Sequence, residues 1–184
     1  MENNFIIAGF GGQGVLLAGE VLATAFMIDG KNVTWYPSYG AEMRGGTVNC
    51  EIVENDTEDV SSVNKSEANF ILALNQASFD KFLEKVKRGG WIIANSTLIK
   101  EIRKRADINY LFVPVTALAE KLGNVKMANI LSLGVLAKIS ELVSLETLEK
   151  AIEVVIPAHR KSLLPLNIQA LKLGYEYDLQ TVNL

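Results

Sequence analysis

Cysteine and histidine occur once each, as Cys50 and His159, in a chain of 184 residues. An iron–sulfur cluster takes about four cysteine ligands, so this chain alone cannot hold one. A structural zinc site fails for the same reason, and no disulfide can close within the chain. A Ser-His or Cys-His catalytic unit would have to be built on His159. No apolar run approaches the length of a bilayer span. The start, Met1-Glu2-Asn3-Asn4, carries no basic residue before its apolar stretch, which predicts a cytoplasmic protein. A net charge of −3 supplies no general field for nucleic acid, so neither nucleic acid nor membrane is an expected partner.

What is present is ordinary for a globular protein: 49% hydrophobic and 21% charged residues. The length fits one domain with its own core. Phe5-Ile6-Ile7-Ala8 reads as a strand, Val15–Ile28 as a helix buried on most sides and ended by Asp29-Gly30, and Asn32–Tyr36 as a second strand stopped by Pro37. Further strands are predicted at Thr47–Glu54, Phe70–Leu74, Trp91–Ala94 and Tyr110–Val113. A helix from Ser78 to about Lys87 ends at Gly89-Gly90, and a short helical stretch precedes Tyr110. From Thr116 onward the pattern is helical: Ala117–Leu122, Met127–Ser140, Leu145–Ile156 and Leu166–Tyr175. The expected fold is α/β, a single doubly wound, mostly parallel sheet with a Rossmann-like start. One domain spans residues 1–177, helical from about residue 116, and 178–184 form a frayed tail.

Gly9-Phe10-Gly11-Gly12-Gln13-Gly14 lies between the first strand and the first helix. Glycines at 9, 11 and 14 fit the dinucleotide-binding spacing, in which they permit a tight turn, backbone approach to a phosphate, and helix-on-strand packing. The free amides of the helix start would then face an anion. The same glycines would also serve a tight turn with no ligand. A nicotinamide dinucleotide further requires an acidic residue at the end of the second strand. That region reads Thr34-Trp35-Tyr36-Pro37-Ser38, with no carboxylate until Glu42, which disfavours an NAD(P) dehydrogenase. Gln13 could either bond a ligand or brace the loop.

A second loop, Tyr36-Pro37-Ser38-Tyr39-Gly40-Ala41-Glu42-Met43-Arg44-Gly45-Gly46, follows the second strand and should share an edge with the glycine loop. Its Ser38, Tyr39, Glu42 and Arg44 could serve a ligand or sit in a solvated turn. Together the two loops, GFGGQGVLLAGEVLA and PSYGAEMRGGTVNCEI, resemble the gamma subunit family of the 2-oxoacid:ferredoxin oxidoreductases. The likeness continues through Phe70–Leu74 with Gln76, the Gly89-Gly90 turn and Asn129…Gly134, over about residues 4 to 175.

The resemblance implies a complex that oxidatively decarboxylates a 2-oxoacid with coenzyme A, giving an acyl-CoA, carbon dioxide and reduced ferredoxin. In it, thiamine diphosphate with magnesium belongs to the alpha and beta subunits. The iron–sulfur clusters belong chiefly to a delta subunit and in many members to beta as well. The gamma part is associated with coenzyme A binding and with completing the assembly. The implied cofactor-binding residues here are Gly9, Gly11, Gly12, Gln13, Gly14, Ser38, Tyr39, Glu42 and Arg44, with no catalytic residue and no metal ligand. The expected partners are alpha, beta and delta subunits, with ferredoxin reached indirectly, and the loops look closer to 2-oxoglutarate and branched-chain members than to pyruvate members. A stand-alone CoA- or nucleotide-binding module is the alternative.

Other features have plainer readings. Residues 81 to 105 hold eight of the 18 basic residues, opposed by Glu84 and Glu101, and read as solvated faces or as a surface for a partner. Asn129 reads as a hydrogen-bonding residue of its helix, Gly134 as a point of close packing, Cys50 as core and His159 as a surface or capping residue.

Overall fold

In a computed structural model of the chain, the structure describes residues 2–38, 47–60, 66–179 and 181–182. Four parallel strands form its centre: β1 (Glu2–Phe10), β4 (Ala68–Ala73), β5 (Val86–Asn95) and β6 (Asn109–Val113), paired in that order. Their apolar runs suit strands covered on both faces. Outside β1, β3 (Thr47–Asn55) pairs antiparallel, and β2 (Asn32–Ser38) pairs antiparallel with β3. β7 (Thr181–Val182) adds antiparallel to β6 at the other edge. The full order is β2-β3-β1-β4-β5-β6-β7.

The second strand is therefore not the neighbour of the first, since β3 lies between them. Pro37 does not stop β2 either; it lies inside the strand, opposite Cys50. An edge strand can carry a proline because one side of its backbone has no ladder to complete. Residues 181–182 are likewise strand, whereas a frayed tail was expected.

The helices divide unequally. One face carries α1 (Val15–Ile28), α3 (Val115–Lys121), α4 (Ala128–Ser140), α5 (Leu145–Val155) and α6 (Leu164–Glu176), packed on Ile7, Leu72, Ile93 and Leu111. The other face carries α2 (Gln76–Phe82), whose Phe79 and Phe82 pack with Ile6, Ile71, Ile92 and Tyr110. Asn75 begins α2 by accepting from the Ser78 N–H at 2.9 Å. Ser144 does the same for α5 through the Thr147 N–H at 3.0 Å.

Two local expectations fail. The helix expected to reach Lys87 ends at Phe82 and tightens into a 3₁₀ turn, Leu83–Lys85, before β5 begins at Val86. Gly89-Gly90 lies within β5, at a register irregularity against β4, and the Gly89 N–H donates to the Asp107 carbonyl at 2.7 Å. Nor is there a helix between β5 and β6, where residues 99–105 are irregular. At Val86 strand pairing overrides a helical run of charged and aliphatic residues, and over 99–105 side-chain bonds from Gln76 and Arg105 hold the chain out of a helix.

α4 and α6 cross at two glycines. A Cβ at Gly134 would collide with the Leu171 carbonyl, and one at Gly174 with the Leu131 carbonyl. The close packing expected at Gly134 is present. At the opposite end of the sheet, the fully buried Glu54 is paired with Lys31 at 3.3 Å, and Lys31 also reaches Asp56 and the Leu142 carbonyl. One cation thus ties β3 to the turn before α5.

Candidate functional site

The glycine loop is a turn followed at once by a helix start. The Gln13 N–H donates to the Phe10 carbonyl at 3.1 Å, and Gly12 at the third position has φ +94°, a value that turns of this form reserve for glycine. Gly14 then caps α1 in the left-handed region, φ 73° and ψ 26°, and contributes no capping side chain. The first closed backbone bond is Ala18 N–H to the Gly14 carbonyl at 3.0 Å. The amides of Val15, Leu16 and Leu17 consequently have no acceptor among the described residues. With no acidic residue in the first turn of α1, the positive end of the helix dipole is uncompensated.

Gln13 is a brace. Its Oε1 accepts from the Phe10 N–H at 2.6 Å and from Asn75 Nδ2 at 2.9 Å, and its Nε2 donates to the Leu74 carbonyl at 3.4 Å. Both ends of the amide are engaged by the protein, so the bracing role is filled. Gly9 lies beneath, where a Cβ would sit 2.7 Å from Gln13 Oε1.

The amides of α1 open into a cleft of about 450 Å³, bounded by Gly11, Gly12, Gly14, Met127, Ile156 and Leu163 among others. Two cations reach it, Lys126 from the 3₁₀ turn Val125–Met127 and Arg160 from the 3₁₀ turn Ala158–Leu163. Both are exposed, and neither has an ion-pair partner among the described residues. Asn129, 2% exposed, closes the floor: its Nδ2 donates to the Gly14 carbonyl at 3.0 Å, while its Oδ1 is buried without a partner among the described residues. The cleft thus offers amides and cations to an anion, aliphatic walls to an apolar portion, and one buried acceptor.

Sequence reasoning placed Gly9, Gly11, Gly12, Gln13 and Gly14 together, and they are together. Ser38 is elsewhere. It ends β2 opposite Asn49 and lines a separate cleft on the α2 face with Tyr36, Glu51 and Lys85. The alternation of side chains along β2 and β3 sends it there. Tyr39, Glu42 and Arg44 lie outside the described residues, although the residues that flank them, Ser38 and Thr47, are at the same end of the sheet as Phe10. Lys126 and Arg160 were missed, because each is an isolated basic residue far along the chain and only the fold brings it to the loop. The order β2-β3-β1 also moves the end of β2 away from the loop, so the position that would read a nicotinamide ribose is displaced.

Cys50 and His159 keep their plain readings. Cys50 is fully buried beneath α1, and burial pushes its thiol up to about 12. His159 is exposed in the turn beside Arg160.

Comparison with known proteins agrees with this architecture. Residues 4–177 match the model of the family described as pyruvate ferredoxin/flavodoxin oxidoreductase. Subunit VorA of a ketoisovalerate oxidoreductase from Methanothermobacter thermautotrophicus is 35% identical over 96% of this chain, which spans 36% of that relative's length. Subunit KorC of a 2-oxoglutarate synthase from Methanocaldococcus jannaschii is 32% identical over 96% of this chain and 94% of its own. The crystal structure of the gamma subunit of a keto/oxoacid ferredoxin oxidoreductase from Geobacter sulfurreducens superimposes with a TM-score of 0.82 at 30% identity, covering 95% of this chain and 96% of that one.

Proposed function

This chain belongs to the pyruvate ferredoxin/flavodoxin oxidoreductase family, as a chain of the gamma-subunit type, and from that premise we propose that its cleft holds coenzyme A for a 2-oxoacid oxidation completed on companion chains. The observation that carries the reading is the glycine-capped start of α1, whose three unengaged amides share one cleft with Lys126 and Arg160. Charge-assisted contacts of this kind suit phosphate oxygens. The aliphatic wall of Met127, Ile156 and Leu163 suits the less polar parts of the same molecule, and Asn129 Oδ1 suits a donor N–H.

The division of labour is the one the resemblance to the gamma-subunit family implies. Clusters and thiamine diphosphate with magnesium would fall to alpha, beta and delta companions, and a single buried cysteine, which provides no cluster ligation, supports the part that concerns clusters. Coenzyme A supplies the acyl-accepting thiol when bound. The residues here would bind and orient it, with the α1 amides and the two cations fixing its phosphates and the Gln13 brace keeping the loop open. The substrate is a 2-oxoacid of the 2-oxoglutarate or branched-chain type, a choice supported by relatives named as subunits of a ketoisovalerate oxidoreductase and of a 2-oxoglutarate synthase.

Calorimetric titration of coenzyme A into the assembled complex tests this. A Lys126→Ala/Arg160→Ala variant should bind at least about tenfold more weakly, since two charge-assisted contacts are lost. It should also raise the KM for coenzyme A while leaving the KM for the oxoacid unchanged. Unaltered coenzyme A affinity in that variant would end the reading.

A further inference from the structure

The six residues Gly9 to Gly14 include four glycines, the residue type that loses most freedom on folding. Phe10 is 40% exposed, and Gln13 is the loop's one polar side chain. Such a loop keeps a single shape only if a restraint comes from outside it, and a shape held before binding favours a ligand. Gln13 fastens the loop from within. What fastens Gln13 therefore decides how firmly the α1 amides are presented.

Three groups meet the Gln13 amide. Its Oε1 accepts from the Phe10 N–H at 2.6 Å and from Asn75 Nδ2 at 2.9 Å. Its Nε2 donates to the Leu74 carbonyl at 3.4 Å, long for such a bond, and that carbonyl already accepts from Asn95 Nδ2 at 3.0 Å. The Nε2 end is the weak one. The orientation of the amide thus rests on the two donors that converge on Oε1, Phe10 inside the loop and Asn75 outside it. Gly9 leaves just enough room, since a Cβ there would stand 2.7 Å from Gln13 Oε1.

The sheet delivers Asn75 to this position. The Leu74 N–H donates to the Ala8 carbonyl at 2.9 Å, which carries the parallel pairing of β1 and β4 to their ends and brings the chain out beside the loop. Asn75 is 2% exposed, and both ends of its side chain are used. Oδ1 accepts from the Ser78 N–H at 2.9 Å and starts α2, while Nδ2 serves Gln13. A serine or an aspartate would start the helix equally well. A serine is too short to reach Gln13 as well, and an ionised aspartate has no proton to give. The helix start alone does not call for asparagine; the loop does.

We propose that Asn75 is a positioning residue of the cleft: through Gln13 it holds the glycine loop in the turn that leaves the α1 amides facing the ligand. It touches no ligand itself. The consequence for coenzyme A rests on coenzyme A being the occupant of the cleft; the bracing of the loop does not.

Two variants, Asn75→Ser and Asn75→Asp, keep an acceptor for the Ser78 N–H and remove the donor to Gln13. In the full chain, amide exchange at Phe10 should quicken by at least about fivefold in both, as for the loss of one hydrogen bond. Exchange at Ser78 should stay within about twofold, because the helix start is kept; a general loss of stability would quicken both amides together. In the assembled complex, both variants should bind coenzyme A about fivefold more weakly, with the KM for the oxoacid unchanged. Gln13→Met removes the brace at similar side-chain length. Adding Asn75→Ser to it should change Phe10 exchange and coenzyme A affinity by less than about twofold, because Asn75 then has nothing to hold. Unchanged exchange at Phe10 in both Asn75 variants would overturn the proposal, as would effects of Asn75→Ser and Gln13→Met that multiply in the double variant. Faster exchange at Phe10 with undiminished coenzyme A affinity would overturn it too. If the unaltered complex takes up no coenzyme A, the choice of ligand falls instead, and exchange at Phe10 still decides the brace.

Discussion

A Cβ at Gly134 would collide with the Leu171 carbonyl and one at Gly174 with the Leu131 carbonyl, whereas a Cβ at Gly12 would meet no heavy atom within 4 Å. The first pair is glycine because α4 and α6 already occupy the space. Gly12 is glycine for its backbone angle, φ +94°, and what lies around it is open. Gly19 belongs with the filled sites, since a Cβ there would strike Cys50 Sγ and come within 2.8 Å of Trp35 Nε1. The contrast separates two uses of the smallest residue. One lets backbones touch, so its loss is felt by the fold; the other keeps a surface clear, so its loss is felt by whatever approaches from outside.

The largest effect should come from filling the packed crossing. Gly134→Val places two methyl groups against the backbone of α6, and overpacking of a close-packed interior costs about 3 kcal/mol where the backbone must move. For a domain of this size that lowers the melting temperature by about 6–12 °C, read by thermal circular dichroism. Coenzyme A affinity measured well below the melting point should stay within about twofold. A melting temperature within about 2 °C of the unaltered protein would show that α4 and α6 are not in contact.

The sealed region under α1 can also be probed by pH. Burial pushes the Cys50 thiol from an ordinary 9.0 to about 12. The folded protein therefore keeps a proton that the unfolded chain releases near 9. The stabilising contribution is complete below that pH and is lost as pH rises from about 9 through 12. Labelling by a thiol reagent at pH 8 should be at least about a hundredfold slower in the folded protein than in denaturant, because access requires opening. Rapid labelling under native conditions would show that α1 does not cover β3.

Much of this architecture is legible in the residues themselves. Val15–Ile28 is predicted with the bounds the structure gives, because fourteen nearly unbroken apolar residues between Gly14 and Asp29-Gly30 leave few alternatives. The central strands follow from their apolar runs. The order of strands is not legible, since an interposed β3 and a following β4 have the same local pattern and only pairing distinguishes them. Residues 99–105 include helix-forming types, yet Gln76 from α2 and the bonds of Arg105 to the Leu83 and Val86 carbonyls hold them out of a helix. At the candidate site, the loop is local and therefore readable. Lys126, Asn129 and Arg160 join it across more than a hundred residues of chain, and no spacing rule reaches that far.

The smallest effect on the fold, and the sharpest test of the contrast, belongs to Gly12→Ala. The added methyl group has open space on every side, so its cost is confined to holding alanine at φ +94°, about 1 kcal/mol. The melting temperature should drop by only about 2–4 °C. Coenzyme A affinity should nevertheless fall by about tenfold, because the methyl group projects from the rim of the cleft beside the α1 amides and keeps phosphate oxygens from their donors. Comparing the two substitutions on one plot of affinity against stability should place them on opposite axes: Gly134→Val moves stability alone and Gly12→Ala moves affinity far more than stability. If Gly12→Ala instead loses stability and affinity in the proportion set by its unfolded fraction, the open glycine is a folding residue like the others, and the cleft loses its claim to a ligand.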